Sequence, residues 1–312
     1  MTTPLIVGLP GNEALAKGVA DCLNAEVGGL ETRHFPDGES YLRFRTDPTG
    51  RPLLLVCTLD RPDPKFLPLV FAAAAGRDLG AASVGLVAPY LAYMRQDKRF
   101  HDGEAVTSTA FARLLSSEID WLVTVDPHLH RHKVLDELYQ IPNRVGHAAP
   151  LMADWIRSHV DRPVIIGPDI ESEQWVAEVA ERAGAPFRVL RKERHGDRDV
   201  TITVPDLGEV SDLTPVLVDD IISSGQTMLE AARQLKAQGL AAPACVAVHA
   251  LFADGVHQAL KNVAAAVATT NSVPHASNAI DLAPVLADLA QGLVRGREPS
   301  VEPMASRRPR NR

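Results

Sequence analysis

The residues best suited to chemistry in this 312-residue chain lie in one stretch, VLVDDIISSGQTMLEAARQL, from Val216 to Leu235. An apolar run turns abruptly acidic at Asp219 and Asp220, and apolar residues later return at helical spacing. Between the two lie small or hydroxyl-bearing residues and one amide, which are Ser223, Ser224, Gly225, Gln226 and Thr227. The pattern predicts a buried strand that ends at the two aspartates, then a tight loop and a helix.

This order of groups suits a phosphorylated sugar. The loop amides and hydroxyls converge on a helix N-terminus, where unpaired N–H groups and the helix dipole favour a phosphate. The paired carboxylates are placed to accept hydrogen bonds from vicinal hydroxyls, such as those of a ribose, so a 5-phosphorylated pentose satisfies both halves. The competing interpretation is an ordinary strand–loop–helix unit with an acidic strand end, and the restrictive order of residues makes it the weaker one.

The stretch resembles the binding motif for 5-phosphoribosyl 1-diphosphate (PRPP) that type I phosphoribosyltransferases and ribose-phosphate diphosphokinases (PRPP synthetases) share. The resemblance implies that Asp219, Asp220 and the loop from Ser223 to Thr227 bind ribose 5-phosphate. Because both families carry this motif, the rest of the chain has to distinguish them.

A second run, from Pro52 to Ala75, repeats the layout of strand, loop and helix without the paired aspartates or the Ser-Gly-x-Thr loop. Such a degenerate half-repeat indicates two domains of one fold, as PRPP synthetases have. We therefore expect an α/β protein of two tandem type I phosphoribosyltransferase-like domains, each a mainly parallel sheet flanked by helices. The predicted domains span residues 1–145 and 146–294, and a disordered tail is predicted at 295–312.

Composition limits the kinds of partner. A net charge of −7 argues against a generic nucleic-acid surface, so anionic substrates must be held by local basic clusters. The three cysteines, Cys22, Cys57 and Cys245, have no metal-type spacing, and their apolar surroundings predict reduced, buried side chains. With no basic leader and no stretch of membrane-spanning length, we expect a cytoplasmic protein that does not bind membranes.

One basic cluster follows a predicted buried strand, Val84 to Ala88, in the position where open α/β sheets bind ligands. A charge run is usually a solvated surface. Here, however, the order Pro-Tyr-x-x-Tyr-x-Arg-Gln-Asp-Lys-Arg resembles the ATP-binding segment of PRPP synthetases, which phosphoribosyltransferases lack. The resemblance implies that Arg95 and Gln96 bind ATP, and the guanidinium fork suits a phosphate.

The segment HFPDGESYLRFR predicts a turn that leads into an alternating strand, and on its own it is best explained as a plain β-turn. It also resembles the Phe-x-Asp-Gly-Glu segment with which a PRPP synthetase reaches into the ATP site of a neighbouring subunit. That resemblance implies a homo-oligomer with shared ATP sites, and the implied ATP contacts are Phe35, Asp37, Gly38 and Glu39.

The predicted strand from Trp121 to Val125 leads into Asp126, His128, His130 and His132. Alternating histidines suggest a transition-metal site, but neither a thiolate nor a further well-spaced imidazole joins them. The segment resembles Asp-Leu-His of PRPP synthetases, which implies Mg²⁺ near His128 and leaves the role of His130 open. The same family implies Asp169 as a second metal residue, although the turn after it, residues 170–173, departs from the family pattern.

The run FRVLRKERHGDRDVTITV predicts strand, charged loop and strand, and its simplest interpretation is an exposed hairpin. PRPP synthetases carry their flexible catalytic loop here. The resemblance implies that Lys192 and Arg194 stabilise the transferred group and that Arg194 also contacts ribose 5-phosphate.

Together these resemblances imply transfer of the diphosphoryl group of ATP to ribose 5-phosphate, giving PRPP and AMP. A nucleobase phosphoribosyltransferase is the first alternative, and it leaves the segment around Arg95 without a role. A non-catalytic subunit associated with PRPP synthetase is the second. Gln226 and the altered turn after Asp169 favour that alternative, whereas Lys192 and Arg194 oppose it.

Overall fold

The computed structural model describes residues 2–129, 131–168, 172–194, 200–203 and 212–295. The first half contains β1 (Leu5–Gly8), α1 (Glu13–Leu23), β2 (Glu26–Val27), β3 (Leu30–His34), β4 (Ser40–Phe44), β5 (Pro52–Val56), α2 (Asp63–Asp78), β6 (Ser83–Ala88), α3 (Thr107–Glu118), β7 (Trp121–Val125), a 3₁₀ turn (Leu135–Glu137) and β8 (Asn143–Gly146). The second half contains α4 (Ala149–His159), β9 (Pro163–Gly167), α5 (Glu173–Ala183), β10 (Phe187–Val189), β11 (Arg191–Arg194), β12 (Val200–Thr203), β13 (Thr214–Ile222), α6 (Gln226–Ala237), β14 (Ala244–Ala250), α7 (Val256–Lys261), β15 (Ala266–Thr270), β16 (Asn278–Ile280) and α8 (Ala283–Arg295).

Each half is built on a six-stranded sheet in which every described pairing is parallel. Helices cover both faces of such sheets, which is why the central strands are continuous apolar runs. Leu53 to Val56 in β5 and Val216 to Val218 in β13 are completely buried. The predicted α/β class with parallel sheets flanked by helices is confirmed.

The two halves repeat one topology. The first sheet has the order β2-β1-β5-β6-β7-β8 and the second has β10-β9-β13-β14-β15-β16, and each half adds an antiparallel hairpin, β3–β4 or β11–β12. The predicted half-repeat is confirmed, because β5–α2 occupies the place in the first sheet that β13–α6 occupies in the second. Cys57 and Asp220 occupy equivalent positions in the two halves, because each lies the same number of residues before the next helix, which begins at Asp63 or at Gln226.

The strand that carries the paired aspartates is longer than predicted. The sequence predicts that it ends at Asp219 and Asp220, and this is wrong, because β13 continues to Ile222. Ile221 and Ile222 pair with His249 and Ala250 of β14, and Ile222 is buried. Burial and strand pairing of two β-branched residues outweigh the break that the acidic pair suggests.

The last helix ties the halves together. The described part of α8 packs on α1 and against β7 and β8 of the first sheet, whereas α4 packs on α5 of the second half. Gly18 permits the close approach of α8, because a Cβ there would lie 2.9 Å from the Cβ of Ala283. The domain boundaries at 145/146 and 294 stay a prediction, and the tail predicted to be disordered lies, from residue 296 on, outside the described residues.

Two further expectations concern single features. Cys57 and Cys245 are buried free thiols as predicted, but Cys22, in the last turn of α1, is exposed, so that part of the prediction is wrong. Over the ranges given above, no helix combines the length and the apolar character that crossing a bilayer requires.

Candidate active site

A cavity of about 780 Å³ opens where the carboxyl ends of strands from both sheets meet. This is the edge at which open parallel sheets bind ligands. It is lined by Arg95, Asp126, Pro127, His128, Leu129, Val145, His147, Ser172, Trp175, Asp219, Asp220, Ile221, Ser223 and Thr227. The cavity therefore brings together Arg95, His128, both aspartates and the two ends of the predicted phosphate loop.

The loop between β13 and α6 is held in one shape by Gly225. This residue has φ +66°, and a Cβ on it would lie 2.2 Å from Cγ1 of Val256, so only glycine fits. The Ala253 N–H donates to the carbonyl of Ser223 at 2.9 Å, which fixes the start of the loop. Ser223 and Thr227 line the cavity at the N-terminus of α6, where unpaired backbone N–H groups favour an anion.

The remaining predicted loop residues lie beside the cavity without lining it. Ser224 and Gln226 are exposed, and Gly225 is buried under Val256. Gln226 therefore is not among the residues that line the cavity, although it lies in the sequence between Ser223 and Thr227, which do.

Asp220 connects the two halves of the chain. Its Oδ2 lies 2.8 Å from Nδ1 of His128, which follows β7 of the first sheet. Burial acts to raise the pKa of the Asp220 carboxyl, but the hydrogen bond and charge of His128 outweigh it, and the net pKa is lowered. Asp219 lies next to it, and its Oδ1 accepts the Asp220 N–H at 2.9 Å.

Asp126 is a site residue to which sequence reasoning gave no role. It directly follows β7 and has φ +37°. Its Oδ1 lies 3.0 Å from Nδ1 of His147 and its Oδ2 accepts the Ala148 N–H at 2.8 Å. The hydrogen bond from Asp126 raises the pKa of His147 above its ordinary value.

A buried histidine supports this arrangement from the second sheet. Nε2 of His249 lies 3.2 Å from the carbonyl oxygen of Asp126, and its Nδ1 lies 2.9 Å from Oγ of Ser272. His249 is fully buried, and burial lowers its pKa, so the ring is neutral at pH 7. Since a carbonyl only accepts, Nε2 carries the proton. The edge of the Tyr90 ring contacts His249 at 5.0 Å between centroids.

The predicted ATP segment is only partly in the cavity. Arg95 lines it, whereas Gln96 does not, and the Gln96 carbonyl accepts the Ser108 N–H at 3.3 Å. The next residue, Asp97, has a side chain that is 3% exposed and accepts two hydrogen bonds from Nη1 of Arg131, at 2.8 and 3.0 Å. This ion pair ties the loop after β6 to the loop after β7.

The Phe35–Glu39 segment lies apart from the cavity, at the tip of the β3–β4 hairpin. Its turn is closed by a Phe35 N–H bond to the Glu39 carbonyl at 2.8 Å, and Gly38 has φ +93°. Oδ1 of Asp37 accepts the Glu39 N–H at 3.1 Å. Phe35 is 41% exposed, and the Arg33 guanidinium lies over its ring at 4.7 Å.

Four predicted residues fall wholly or partly outside the described residues. Asp169 and His130 are outside, so the metal role of Asp169 stays a prediction and the role of His130 stays open. For Lys192 and Arg194 the backbone is described: in β11 they pair with Ile202 and Val200 of β12. Their side chains and residues 195–199 lie outside the description.

Asp126, His147 and Trp175 line the cavity but were not predicted as site residues. The sequence contains a signal for two of them. Asp126 and His147 directly follow the parallel strands β7 and β8, and ligands bind at the carboxyl ends of such strands. Trp175 lies in α5, and the sequence just before it, at 170–173, departs from the family pattern, so no such signal pointed to it.

Comparison with known proteins covers both halves. The family model described as the N-terminal domain of ribose phosphate pyrophosphokinase matches residues 5–118, and the one described as the phosphoribosyl transferase domain matches residues 134–283. A ribose-phosphate pyrophosphokinase from Methanothermobacter thermautotrophicus is 34% identical over 290 residues, covering 91% of this chain and 99% of the relative. Another, from Thermoplasma acidophilum, is 30% identical over 291 residues and covers 92% and 98%.

A solved structure has the same overall fold. The phosphoribosylpyrophosphate synthetase from Mycobacterium smegmatis superimposes with a TM-score of 0.80, covering 95% of this chain and all of the other. At 23% identity the likeness bears on the fold alone.

Proposed function

The chain belongs to the ribose-phosphate pyrophosphokinase family, and we propose that it transfers the diphosphoryl group of ATP to ribose 5-phosphate, giving PRPP and AMP. One observation carries the proposal at the level of the site. A single cavity is lined by Asp219, Asp220 and the ends of the loop at 223–227 from the second half, and by Arg95 and His128 from the first. The acceptor and the donor can therefore meet.

Ribose 5-phosphate is the proposed acceptor. Its phosphate accepts hydrogen bonds from Ser223, Thr227 and the backbone at the start of α6, with Ser224, Gly225 and Gln226 as the rest of the loop. Its vicinal hydroxyls donate to Asp219 and Asp220. The lowered pKa of Asp220 keeps this carboxylate ionised at neutral pH, so both of its oxygens act only as acceptors.

ATP is the proposed donor, with Arg95 and Gln96 as contacts in this subunit. Phe35, Asp37, Gly38 and Glu39 are proposed to contact the nucleotide bound by a neighbouring copy, which makes the enzyme a homo-oligomer with shared sites. The exposure of Phe35 at a hairpin tip away from the cavity supports contact with another subunit. Because both substrates are cellular metabolites, we place the activity in the cytoplasm.

The chemistry is an in-line displacement. A bond forms between the anomeric oxygen of ribose 5-phosphate and the β-phosphorus of ATP, and the bond from that phosphorus to the oxygen bridging to the α-phosphorus breaks. The proton of the anomeric hydroxyl is released and AMP leaves. Such reactions depend on positioning and on neutralising negative charge, and we propose the second role for Lys192 and Arg194 of β11.

Magnesium is the proposed metal. It takes oxygen ligands, and in phosphoryl-transfer sites one or two carboxylates combine with substrate phosphates. Over the described part of the chain, no group of three or more potential ligand side chains forms a metal site by itself. The proposed metal residues are His128 and Asp169, and substrate oxygens would complete the coordination of the ion. A bound ion would offset the negative charge of the substrate phosphates.

The experiment is AMP formation by the purified chain from ATP, ribose 5-phosphate and MgCl₂. We expect AMP and PRPP in equal amounts, and loss of most of this activity in Asp219→Asn/Asp220→Asn. Asp212→Asn is the matched control, because Asp212 pairs with Arg162 in an exposed ion pair outside the cavity. AMP formation from PRPP and adenine instead would identify a phosphoribosyltransferase, and no turnover at all would favour a non-catalytic subunit.

A further inference from the structure

The pair formed by Asp126 and His147 has no assigned part in the proposed reaction. The Asp126 side chain is 9% exposed, and both of its oxygens are engaged, by His147 and by the Ala148 N–H. The His147 side chain is 66% exposed and lines the cavity. Its Nδ1 faces Asp126, so Nε2 is the nitrogen left to meet a ligand.

An exposed histidine held by a buried carboxylate differs from an ordinary surface ion pair. In a surface pair both side chains are solvated and the geometry is loose. Here one partner is fixed by a backbone N–H bond and by its place directly after β7. Asp126 is further fixed through its carbonyl, which accepts from the buried His249. The imidazole is thus oriented before any ligand binds.

The charges of the cavity call for a further cation. Its described lining contains three carboxylates, Asp126, Asp219 and Asp220, and one guanidinium, Arg95. Both proposed substrates are polyanions, and besides a metal and the proposed Lys192 and Arg194, the lining histidines are the groups that can supply positive charge. The groups that act on the charge of His147 are Asp126 and Glu178, which favour its protonated form, and Arg182, which opposes it. The hydrogen bond to Asp126 is the largest of these effects and outweighs burial, so the pKa of His147 is raised.

We propose that His147 donates its Nε2 hydrogen to a phosphate oxygen of a substrate in the cavity, with Asp126 as the positioning residue. The proposal rests on the proposed function for the identity of the substrates. The phosphate belongs either to ATP or to ribose 5-phosphate, and these sources are separated by measuring the Michaelis constant for each.

The experiment compares His147→Gln, His147→Lys and Asp126→Asn with the wild-type chain. His147→Gln keeps a donor of similar reach but loses the charge, and we expect roughly a tenfold or larger rise in KM for one substrate with kcat nearly unchanged. His147→Lys restores a cation and should recover part of the affinity. Asp126→Asn should raise the same KM, by less. His159→Gln is the matched control, since His159 stacks on Trp155 away from the cavity lining.

A pH series separates this role from a structural one. Phosphate affinity of the wild-type chain should fall as pH rises through the pKa of His147, because only the imidazolium carries the charge. In His147→Gln that dependence should be flattened, and in His147→Lys it should move to higher pH. The charged groups that act on His147 are Asp126, Glu178 and Arg182, and all three are unchanged in the His147 variants, so a difference between these variants reports on residue 147 itself.

Two outcomes overturn the inference. The first is a wild-type KM for both substrates in His147→Gln. The second is a pH dependence shared by all variants. If the wild-type chain forms no AMP, the proposed function fails, and calorimetric titration with ribose 5-phosphate and with ATP then tests the inference directly. In that case it survives only if the wild-type chain binds one of them more tightly than His147→Gln does.

Discussion

His128 in the first half and Asp220 in the second are joined by a 2.8 Å contact between Nδ1 and Oδ2. The two residues lie 92 positions apart and belong to different sheets. The contact therefore links the part of the cavity proposed to bind ATP to the part proposed to bind the sugar. It also acts to lower the pKa of Asp220 against the effect of burial.

The first prediction concerns acid stability. The folded-state pKa of Asp220 is lowered from 3.8, so its contribution to stability is present above that value and is lost as pH falls through the lower folded value. We expect the free energy of unfolding to decline less steeply below about pH 4 in Asp220→Asn than in the wild-type chain. Urea unfolding between pH 3 and 6 measures this. Equal slopes would mean that the His128 contact does not form in solution.

A double-mutant cycle tests the same contact at neutral pH. Combining His128→Gln with Asp220→Asn should reveal a coupling free energy of about 1 kcal/mol, reduced by solvent from the value of a buried charged pair. The His132–Glu137 pair provides the comparison, since it too joins Nδ1 to a carboxylate, at 3.0 Å, but lies outside the cavity. Coupling in the His128 cycle no greater than experimental error would contradict the prediction.

The second prediction concerns Gly225. Gly225→Ala combines a positive φ with a clash against Val256, and should lower the free energy of unfolding by about 2 kcal/mol or more. It should also raise KM for ribose 5-phosphate, because the loop must shift. Gly239→Ala is the control: φ is +85° there, but no atom lies within 4 Å of the added Cβ. If both variants behave alike, strain alone explains the effect and the packing of the loop does not matter.

The third prediction concerns Arg131. Removing its side chain in Arg131→Ala takes two hydrogen bonds from the nearly buried Asp97 and should destabilise the fold by roughly 1–3 kcal/mol. Because Asp97 lies two residues after Arg95, KM for ATP should rise while KM for ribose 5-phosphate stays near the wild-type value. Arg157→Ala breaks an exposed pair with Asp154 and should change neither constant. A rise in both constants would mean that the whole cavity is disturbed.

The fourth prediction concerns Lys192. If its charge acts chiefly in the transition state, Lys192→Ala should lower turnover by about 10² or more and leave ribose 5-phosphate binding nearly intact. Rapid-quench measurement of AMP together with equilibrium binding of the sugar phosphate separates the two effects. Lys236→Ala, in the last turn of α6, is the control. An unchanged turnover number would remove Lys192 from the mechanism.

Local sequence predicted the features that local chemistry determines. The phosphate loop was recognisable because the residues from Asp219 to Thr227 are close together in the chain. The two carboxylates suit the hydroxyls of a sugar, and the loop after them suits its phosphate. The half-repeat was visible for the same reason, as strand, loop and helix follow one another within about two dozen residues in each copy.

Features that depend on distant contacts were not predictable in this way. The end of β13 is decided by pairing of Ile221 and Ile222 with β14, which the acidic pair obscured. The link between Asp126 and His147 exists because β7 and β8 are neighbours in the sheet, although the residues lie 21 positions apart. The last described helix, α8, packs on the first helix, α1, and on the first sheet. No local sequence pattern encodes this packing.

The most direct test of the proposed reaction is to follow the label from ATP carrying ³²P in its β-phosphate. With ribose 5-phosphate and MgCl₂, the account predicts that the label appears in the diphosphate group of PRPP while unlabelled AMP forms in equal amount. Label that stays in ADP, or that appears only in inorganic phosphate, would contradict diphosphoryl transfer by this chain.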